Sequence, residues 1–317
     1  MIMKQEKNPY PYSDNNKRYL TFDYFTKHTY GRKCAKLPID LGLGCPNIDG
    51  TLGSGGCIYC SGRGAGDFAA PPTLPVRDQL DTAASLIRGK WGDVGYIPYF
   101  QAHSNTYGDP RYLREKYFEA ASYPGAVAVS IATRADCLSD AILSVLEELS
   151  SVTDVYVELG LQTASDRTAA LINRCMTTDD FLRGYESLSR LPVRRCIHII
   201  NGLPGEDADQ MLSTARFCAS LNPDMMKIHM LYIIEGTAAA EMYRAGKISL
   251  PDRGEYVRIT ASQLTLLPPE TVIGRLTGDA PGDSLIAPEW IRKKVCVLNE
   301  IDKYMYENRL WQGKEYR

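Results

Sequence analysis

The chain has 317 residues, 44% of them apolar, and a formal net charge of −2. That content supports one large α/β domain or two small ones, and no apolar run nears the roughly 20 residues a membrane-spanning helix needs. The N-terminal stretch MIMKQEKNPYPYSDNNKRY lacks the apolar centre of a secretory signal, so a cytoplasmic location with no membrane attachment is expected, and the nine cysteines are expected to be reduced.

Residues 1–35 are rich in Tyr and Lys, show no clear periodicity, and read as an N-terminal extension. Short β-branched runs then alternate with amphipathic stretches. The predicted strands are KLPIDLGLG (36–44), GYIPYFQAH (95–103), AVAVSIATR (126–134), DVYVELGLQT (154–163), RCIHIING (195–202) and MKIHMLYII (226–234). Within 139–150, Ile142, Leu143, Leu146 and Leu149 recur at helical spacing. The stretch 177–191 opens on a Thr/Asp cap with an acidic first turn, and 207–221 is similar. Such alternation is the signature of a parallel sheet. Six βα units are fewer than the eight of a closed barrel, so the expected fold is α/β, a partial (β/α)6 TIM-like barrel over 36–250 with its site at the C-terminal strand ends. Residues 251–317 read as a C-terminal extension packed on the barrel. A helix near 238–246 precedes it. The extension holds a helix over 254–268, the turn-rich VIGRLTGDAPGD (272–283) and an amphipathic helix over about 288–309.

Charge is unevenly spread. Residues 1–40 carry eight Lys/Arg against four Asp/Glu and residues 288–317 seven against five, so the ends sum to +6 and the middle to −8. A basic end can bind phosphates, and a solvated surface with no partner accounts for the same charges.

The densest chemistry is CPNIDGTLGSGGCIYC, where Cys45, Cys57 and Cys60 fall within sixteen residues just past the first strand. A structural zinc site is closed by four protein ligands, and an iron–sulfur cube normally takes four thiolates. Three nearby thiols therefore leave a coordination position for something else. Cys34 lies at the other end of the strand. Cys137, after the third strand, is the better-placed fourth candidate, although a lone cysteine is more often core. Glycines 53, 55, 56, 62, 64 and 66 let a loop wrap a cluster and turn N–H groups toward its sulfurs.

This three-cysteine loop at the end of the first strand of a βα barrel resembles that of radical SAM enzymes, whose usual spacing is C-x3-C-x2-C. A long first gap, here C-x11-C-x2-C, marks a subset that includes the elongator catalytic subunit. The words CPNIDGTLGSGGCIYC, YFQAHSNTYGDP, VELGLQ, HIINGLPGE and RLTGDAP, in this order, resemble the YhcC/YtqA-like family, also called MnmL-like, over about residues 17–314.

The resemblance implies that Cys45, Cys57 and Cys60 are the catalytic, metal-binding residues. They would hold a [4Fe–4S] cluster whose open iron S-adenosylmethionine chelates, and reduction would release a 5′-deoxyadenosyl radical that takes a hydrogen atom from substrate. Carried across position by position, it implies that Tyr59 packs near the adenine. The turn Gln101-Ala102-His103-Ser104 would meet the amino group, with Ser104 as a side-chain contact. Gln162 would contact ribose or carboxylate, and the planar fork of Arg174 would pair with the methionine carboxylate. His198 would hold the ribose, and backbone around Met230 and Leu231 would flank the adenine. The chain departs from the family's glycine-rich turn at 101–104, and it has Ala132 where relatives often place a Glu.

Long-gap relatives act on the wobble uridine of tRNA. The YtqA-like family is associated with converting carboxymethylaminomethyl-uridine to aminomethyl-uridine. The resemblance therefore implies a tRNA substrate, positioned by phosphate contacts from the basic ends, and an electron donor such as flavodoxin or ferredoxin. Candidate substrate residues are Asn105, Thr106 and Tyr107 after the second strand, and Arg275, Thr277 and Asp279 of RLTGDAP, a stretch that is also ordinary turn chemistry. Glu158 reads as a catalytic group or a strand-end cap, and His198 on its own as a core histidine. Two readings stand beside this one: a radical SAM enzyme acting on a small metabolite or a protein side chain, and a non-catalytic zinc- and nucleic-acid-binding protein. With no acetyltransferase domain after the barrel, the full elongator activity is not expected.

Overall fold

Seven parallel strands make one curled, open sheet in the computed structural model, which describes residues 8–64, 66–280 and 282–317. The elements run α1 (Phe22–Tyr30), β1 (Cys34–Ile39), α2 (Val76–Trp91), β2 (Gly95–Phe100), α3 (Pro110–Ala121), β3 (Ala128–Thr133), α4 (Asp140–Ser150) and β4 (Asp154–Gln162). They continue with α5 (Asp166–Leu171), α6 (Thr178–Leu188), β5 (Arg194–Asn201), α7 (Ala208–Ser220), β6 (Met225–Met230), β7 (Ile233–Ile234) and α8 (Ala238–Arg244). The chain ends with α9 (Arg253–Leu266), β8 (Val272–Arg275), β9 (Leu285–Ala287) and α10 (Lys294–Glu307). The sheet order is β1-β2-β3-β4-β5-β6-β8, and β7 pairs with β9 in a small antiparallel ribbon.

The partial TIM-like α/β architecture is the one expected, with three differences. A seventh strand, β8, lies in the segment read as turn-rich. VIGR is only four residues long and turn chemistry follows it, so local pattern could not separate it from a loop. The sixth strand stops at Met230, because residues 233–234 leave the sheet for the ribbon with β9. The N-terminal extension holds α1, capped by the Thr21 side chain at one end and by left-handed Gly31 at the other. Residues 1–7 of that extension, with Ala65 and Pro281, lie outside the described residues.

Local chemistry sets the helix starts. Thr177 and Asp180 form a capping box at α6, as do Asp207 and Gln210 at α7. Asp109 caps α3 with Pro110 in its first turn. At α6 the backbone of Ala135 comes so close that a β-carbon on Gly184 would sit 2.1 Å from the Ala135 carbonyl oxygen.

The concave side of the sheet is built in layers. Cys34, Ile97, Ala128, Tyr156, Cys196, Met225 and Val272, one from each strand, form an apolar floor onto which Tyr10 and Leu20 of the N-terminal extension pack. Side chains on a strand alternate between faces, so the residues two positions further on face the same lumen: Lys36, Tyr99, Ser130, Glu158, His198, Lys227 and Gly274. The alternate residues, among them Leu37, Val129, Val157 and Ile197, are buried in the larger core with the helices. Each such side chain contributes about 1.5–3 kcal/mol on burial.

Candidate active site

The Cys45–Cys60 loop follows β1 and is tied to the segment after α5. The Asn173 side-chain amide donates to the Ser54 and Gly56 carbonyls, at 3.0 and 2.7 Å. The Asn47 amide donates to the Asn173 carbonyl at 2.5 Å and to the Cys57 sulfur at 3.5 Å. Close approach explains Gly53, whose β-carbon would lie 2.5 Å from Asn47 Oδ1 and 2.6 Å from Cys175 Sγ. Gly55 and Gly56 take φ of +77° and +75°, which a side chain would oppose.

Of the three predicted cysteines, Cys57 and Cys60 lie side by side, and Cys45 is near enough for its charge to act on Cys60. The Cys60 thiol and the Cys57 sulfur share a hydrogen bond, which together with the Arg174 guanidinium holds Cys57 down to about 5 against the upward push of burial. The same bond pushes Cys60 up, and burial and the Cys45 charge add to it. Ser104, buried at the end of β2, donates to the Cys45 sulfur at 3.7 Å. Cys34 sits in the apolar floor, its thiol pushed up to about 11 by burial. Cys137 is pushed up to about 12 by burial and the Asp136 carboxylate. Neither has the depressed thiol of a prepared ligand.

Beside the loop, β4 carries a bulge between Gly160 and Gln162, with Gln162 at φ +72°. His103, Asn173 and Cys175 are also left-handed, so four of the six described non-glycine residues with positive φ surround this site. Arg174 is buried there. It donates to the Gly160 carbonyl, its own carbonyl accepts from Arg134, and its Nε is buried without a partner among the described residues.

Below the loop, the lumen forms a cavity of about 810 Å³. Tyr59, Cys60, Gln101 and Gln162 line its upper part, with Met230 and Leu231. His198, Lys36 and Lys227 line it deeper down, His229 lies one layer above them, and Arg275 and Asp279 line it where β8 ends. Arg275 and Asp279 pair at 2.6 Å, and Lys294 joins the same carboxylate.

The other candidates sit elsewhere. Ala102 is buried against Gly66. Asn105 is fully buried, and its amide donates to the Ala102 and Ala132 carbonyls at 2.9 Å. Thr106 bonds Thr133 and the Cys137 carbonyl, and Tyr107 bonds Thr51. These three, expected as substrate contacts, fasten the turn after β2 and do not line the main lumen. Thr106 and Tyr107 border a separate cavity of about 550 Å³ behind the cysteine loop.

The charged layer of the lumen was not foreseen as a unit. Glu158, fully buried, accepts from Lys36 and Ser130 on Oε1 and from Lys227 and His198 on Oε2. Burial alone would raise its pKa, but the two ammoniums and the His198 bond hold it well below the carboxylate range. Burial, with the Lys227 charge, pulls His198 down to about 4, and burial pulls Lys227 down to about 8. A neutral imidazole facing an ionised carboxylate carries its proton on Nε2 and presents Nδ1 as an acceptor. Glu158, Cys196 and His198 lie within 4.8 Å of one another in their ligand atoms. They do not make a cation site, because two ammoniums already occupy the carboxylate and His198 Nε2 is protonated.

The cysteine loop fits an iron–sulfur cluster. It sets Cys57 beside Cys60 with Cys45 near enough for its charge to act on Cys60, and aims an N–H donor at Cys57 and an O–H donor at Cys45. The unpartnered Nε of Arg174 fits an anionic group beside it. Comparison with known proteins agrees. The family model described as Radical SAM superfamily matches residues 47–218, and a Radical_SAM C-terminal domain model matches 223–307. The chain belongs to the radical SAM superfamily, whose cofactors are a [4Fe–4S] cluster and S-adenosylmethionine.

Within the superfamily it is a member of the YhcC/YtqA-like family. It is 41% identical to the uncharacterized protein YtqA of Bacillus subtilis over 98% of this chain and 97% of that one. It is 33% identical to YhcC of Escherichia coli over 88% and 89%. Similarity to the tRNA uridine(34) acetyltransferase of Methanocaldococcus jannaschii, at 25% identity, spans 50% of this chain and 30% of that enzyme. The structure of Methanocaldococcus infernus Elp3 shares the fold, with a TM-score of 0.65 at 17% identity over 88% of this chain and 64% of the other.

Proposed function

We propose that this radical SAM enzyme modifies the wobble uridine of tRNA, taking a carboxymethylaminomethyl substituent to aminomethyl: the N–CH2 bond breaks with addition of water, the two-carbon fragment leaves as glyoxylate, and this two-electron oxidation would be matched by reductive cleavage of S-adenosylmethionine to methionine and 5′-deoxyadenosine. The observation that carries the reading is the similarity over 163 residues to a tRNA uridine(34) acetyltransferase, and the basic chain ends are consistent with it. When bound, the cluster and S-adenosylmethionine supply a 5′-deoxyadenosyl radical at the top of the lumen.

The protein's own residues do the rest. Cys45, Cys57 and Cys60 hold the cluster, with the Asn47 and Ser104 donors on two of the sulfurs. Arg174 turns its free Nε toward the methionine carboxylate, while Tyr59, Gln162 and the Met230–Leu231 backbone bound the nucleoside. The cavity beneath admits a substituent of the substrate and keeps solvent away from the reacting atoms.

The test is anaerobic. Reconstituted protein with dithionite and S-adenosylmethionine is assayed for 5′-deoxyadenosine, with and without tRNA that carries the carboxymethylaminomethyl group. Expected are more deoxyadenosine with tRNA and aminomethyl-uridine in the nuclease digest. Deoxyadenosine formation indifferent to tRNA would overturn the substrate and favour a metabolite or a protein side chain.

A further inference from the structure

The charged layer of the lumen holds more positive than negative charge. Lys36 and Lys227 reach one carboxylate, Glu158, and His198 beside them is neutral. Glu158 has no acceptor capacity left, since each oxygen already takes two donors. Each ammonium has three donor hydrogens. Lys36 uses two, on Glu158 and on Ser130 at 3.1 Å. Lys227 uses two, on Glu158 and on the Tyr99 hydroxyl at 3.4 Å. Among the described residues one N–H of each remains without an acceptor, and both lysines line the cavity. Both also flank the Tyr99 ring, at 4.6 and 4.7 Å from its centroid. At the rim, Arg275 and Lys294 share the carboxylate of Asp279, while Asp67, the other rim carboxylate, is faced by Arg63 with Lys90 also on the wall, so among the described residues positive charge still exceeds negative.

An ammonium without a counter-charge is costly in a lumen with an apolar floor. Replacing it with an apolar side chain would remove that cost, yet two lysines stand here, on strands that are not neighbours in the sheet. We propose that this layer is an anion subsite, in which the free N–H groups of Lys36 and Lys227 take the two oxygens of a carboxylate at the inner end of the substrate. Its assignment to the substrate rests on the proposed tRNA reaction. The subsite itself rests on the charge count and the geometry. A carboxylate there restores neutrality and makes two charge-assisted hydrogen bonds. Glu158 is the positioning residue: it holds both ammoniums and does not touch the ligand.

The probe is ¹³C-labelled acetate, with acetamide as the neutral control. Line broadening is measured on the anaerobic holoprotein with an oxidised cluster and bound S-adenosylmethionine, so the iron is not open to the probe. Acetate, and not acetamide, is expected to broaden with the wild-type protein. Lys36→Met and Lys227→Met should each weaken acetate roughly tenfold or more. Glu158→Gln should weaken acetate, because it removes the carboxylate that keeps the buried Lys227 charged and in place, and lowering the pH should restore the binding, which a merely structural role would not give. Lys36→Gln and Lys227→Gln repeat the measurement with polar side chains. Absence of broadening with the wild type, or equal broadening by acetamide, overturns the subsite without any variant. Equal affinity in all the lysine variants overturns it as well. Because no tRNA is present, acetate binding at this layer together with indifference to tRNA would leave the subsite standing and reject only the proposed substrate.

Discussion

Lys227→Met is expected to leave the protein as stable as the wild type or more stable at pH 7, while Glu158→Gln destabilises it. Lys227 is buried, and burial outweighs its pairing with Glu158, so its pKa falls from 10.5 to about 8. At about 1.4 kcal/mol for each tenfold in proton affinity, keeping that ammonium charged costs the folded state about 3 kcal/mol at pH 7. Methionine fills the space of the lysine stem without the charge, and Glu158 keeps Lys36, Ser130 and His198. Some of the 3 kcal/mol is lost with the hydrogen bond, so a gain of about 0–3 kcal/mol is expected. Glu158→Gln leaves two ammoniums facing each other without a counter-ion, a loss of about 3–5 kcal/mol.

The pH dependence separates this account from simple repacking. Between pH 8 and 10.5 the unfolded chain holds the Lys227 proton and the folded chain releases it, so wild-type stability from this group rises with pH. The advantage of Lys227→Met should shrink over that window. The assay is urea unfolding of anaerobic holoprotein at fixed S-adenosylmethionine, so that cofactor linkage is common to all variants. A Lys227→Met protein less stable by about 2 kcal/mol or more at pH 7, or an advantage unchanged at pH 10, would refute the reasoning.

Replacing Cys45, Cys57 or Cys60 with Ala should abolish 5′-deoxyadenosine formation, whereas Cys34→Ala and Cys296→Ala should retain it. Arg174→Lys keeps the charge and loses the fork, and should weaken S-adenosylmethionine roughly tenfold in equilibrium dialysis. Gly184→Ala forces a β-carbon to within 2.1 Å of the Ala135 carbonyl oxygen and should cost about 3 kcal/mol or more in urea unfolding. Binding of tRNA should weaken steeply between about 50 and 200 mM salt, and a slope near zero in a filter-binding titration would argue against phosphate contacts from the basic ends.

The cysteine loop was legible because Cys45, Cys57 and Cys60 are neighbours in sequence as well as in space. The helix caps at Thr177 and Asp207 were legible for the same reason, since a cap is chemistry within four residues. Asn105 and Thr106 were not legible in the same way, because a polar residue at a strand end looks the same whether it meets a ligand or ties a buried turn. Only their bonds to Ala102, Ala132 and Cys137 tell which.

The charged layer is a different kind of object. Its members come from separate strands, and each is ambiguous alone: Lys36 resembles a strand edge, and Glu158 a cap. Register joins them. Once the apolar floor residues are fixed on their strands, the positions two further on must share one layer. Gly274 shows how completely the meaning depends on that step. In the sequence it is a turn glycine. In the sheet it belongs to β8, where a β-carbon would press on Met225 Sδ at 2.9 Å and on Lys227 Cγ at 3.2 Å. Its missing side chain makes the room through which the lysine stem reaches Glu158, so a residue without chemistry of its own sets where the lumen's charge sits.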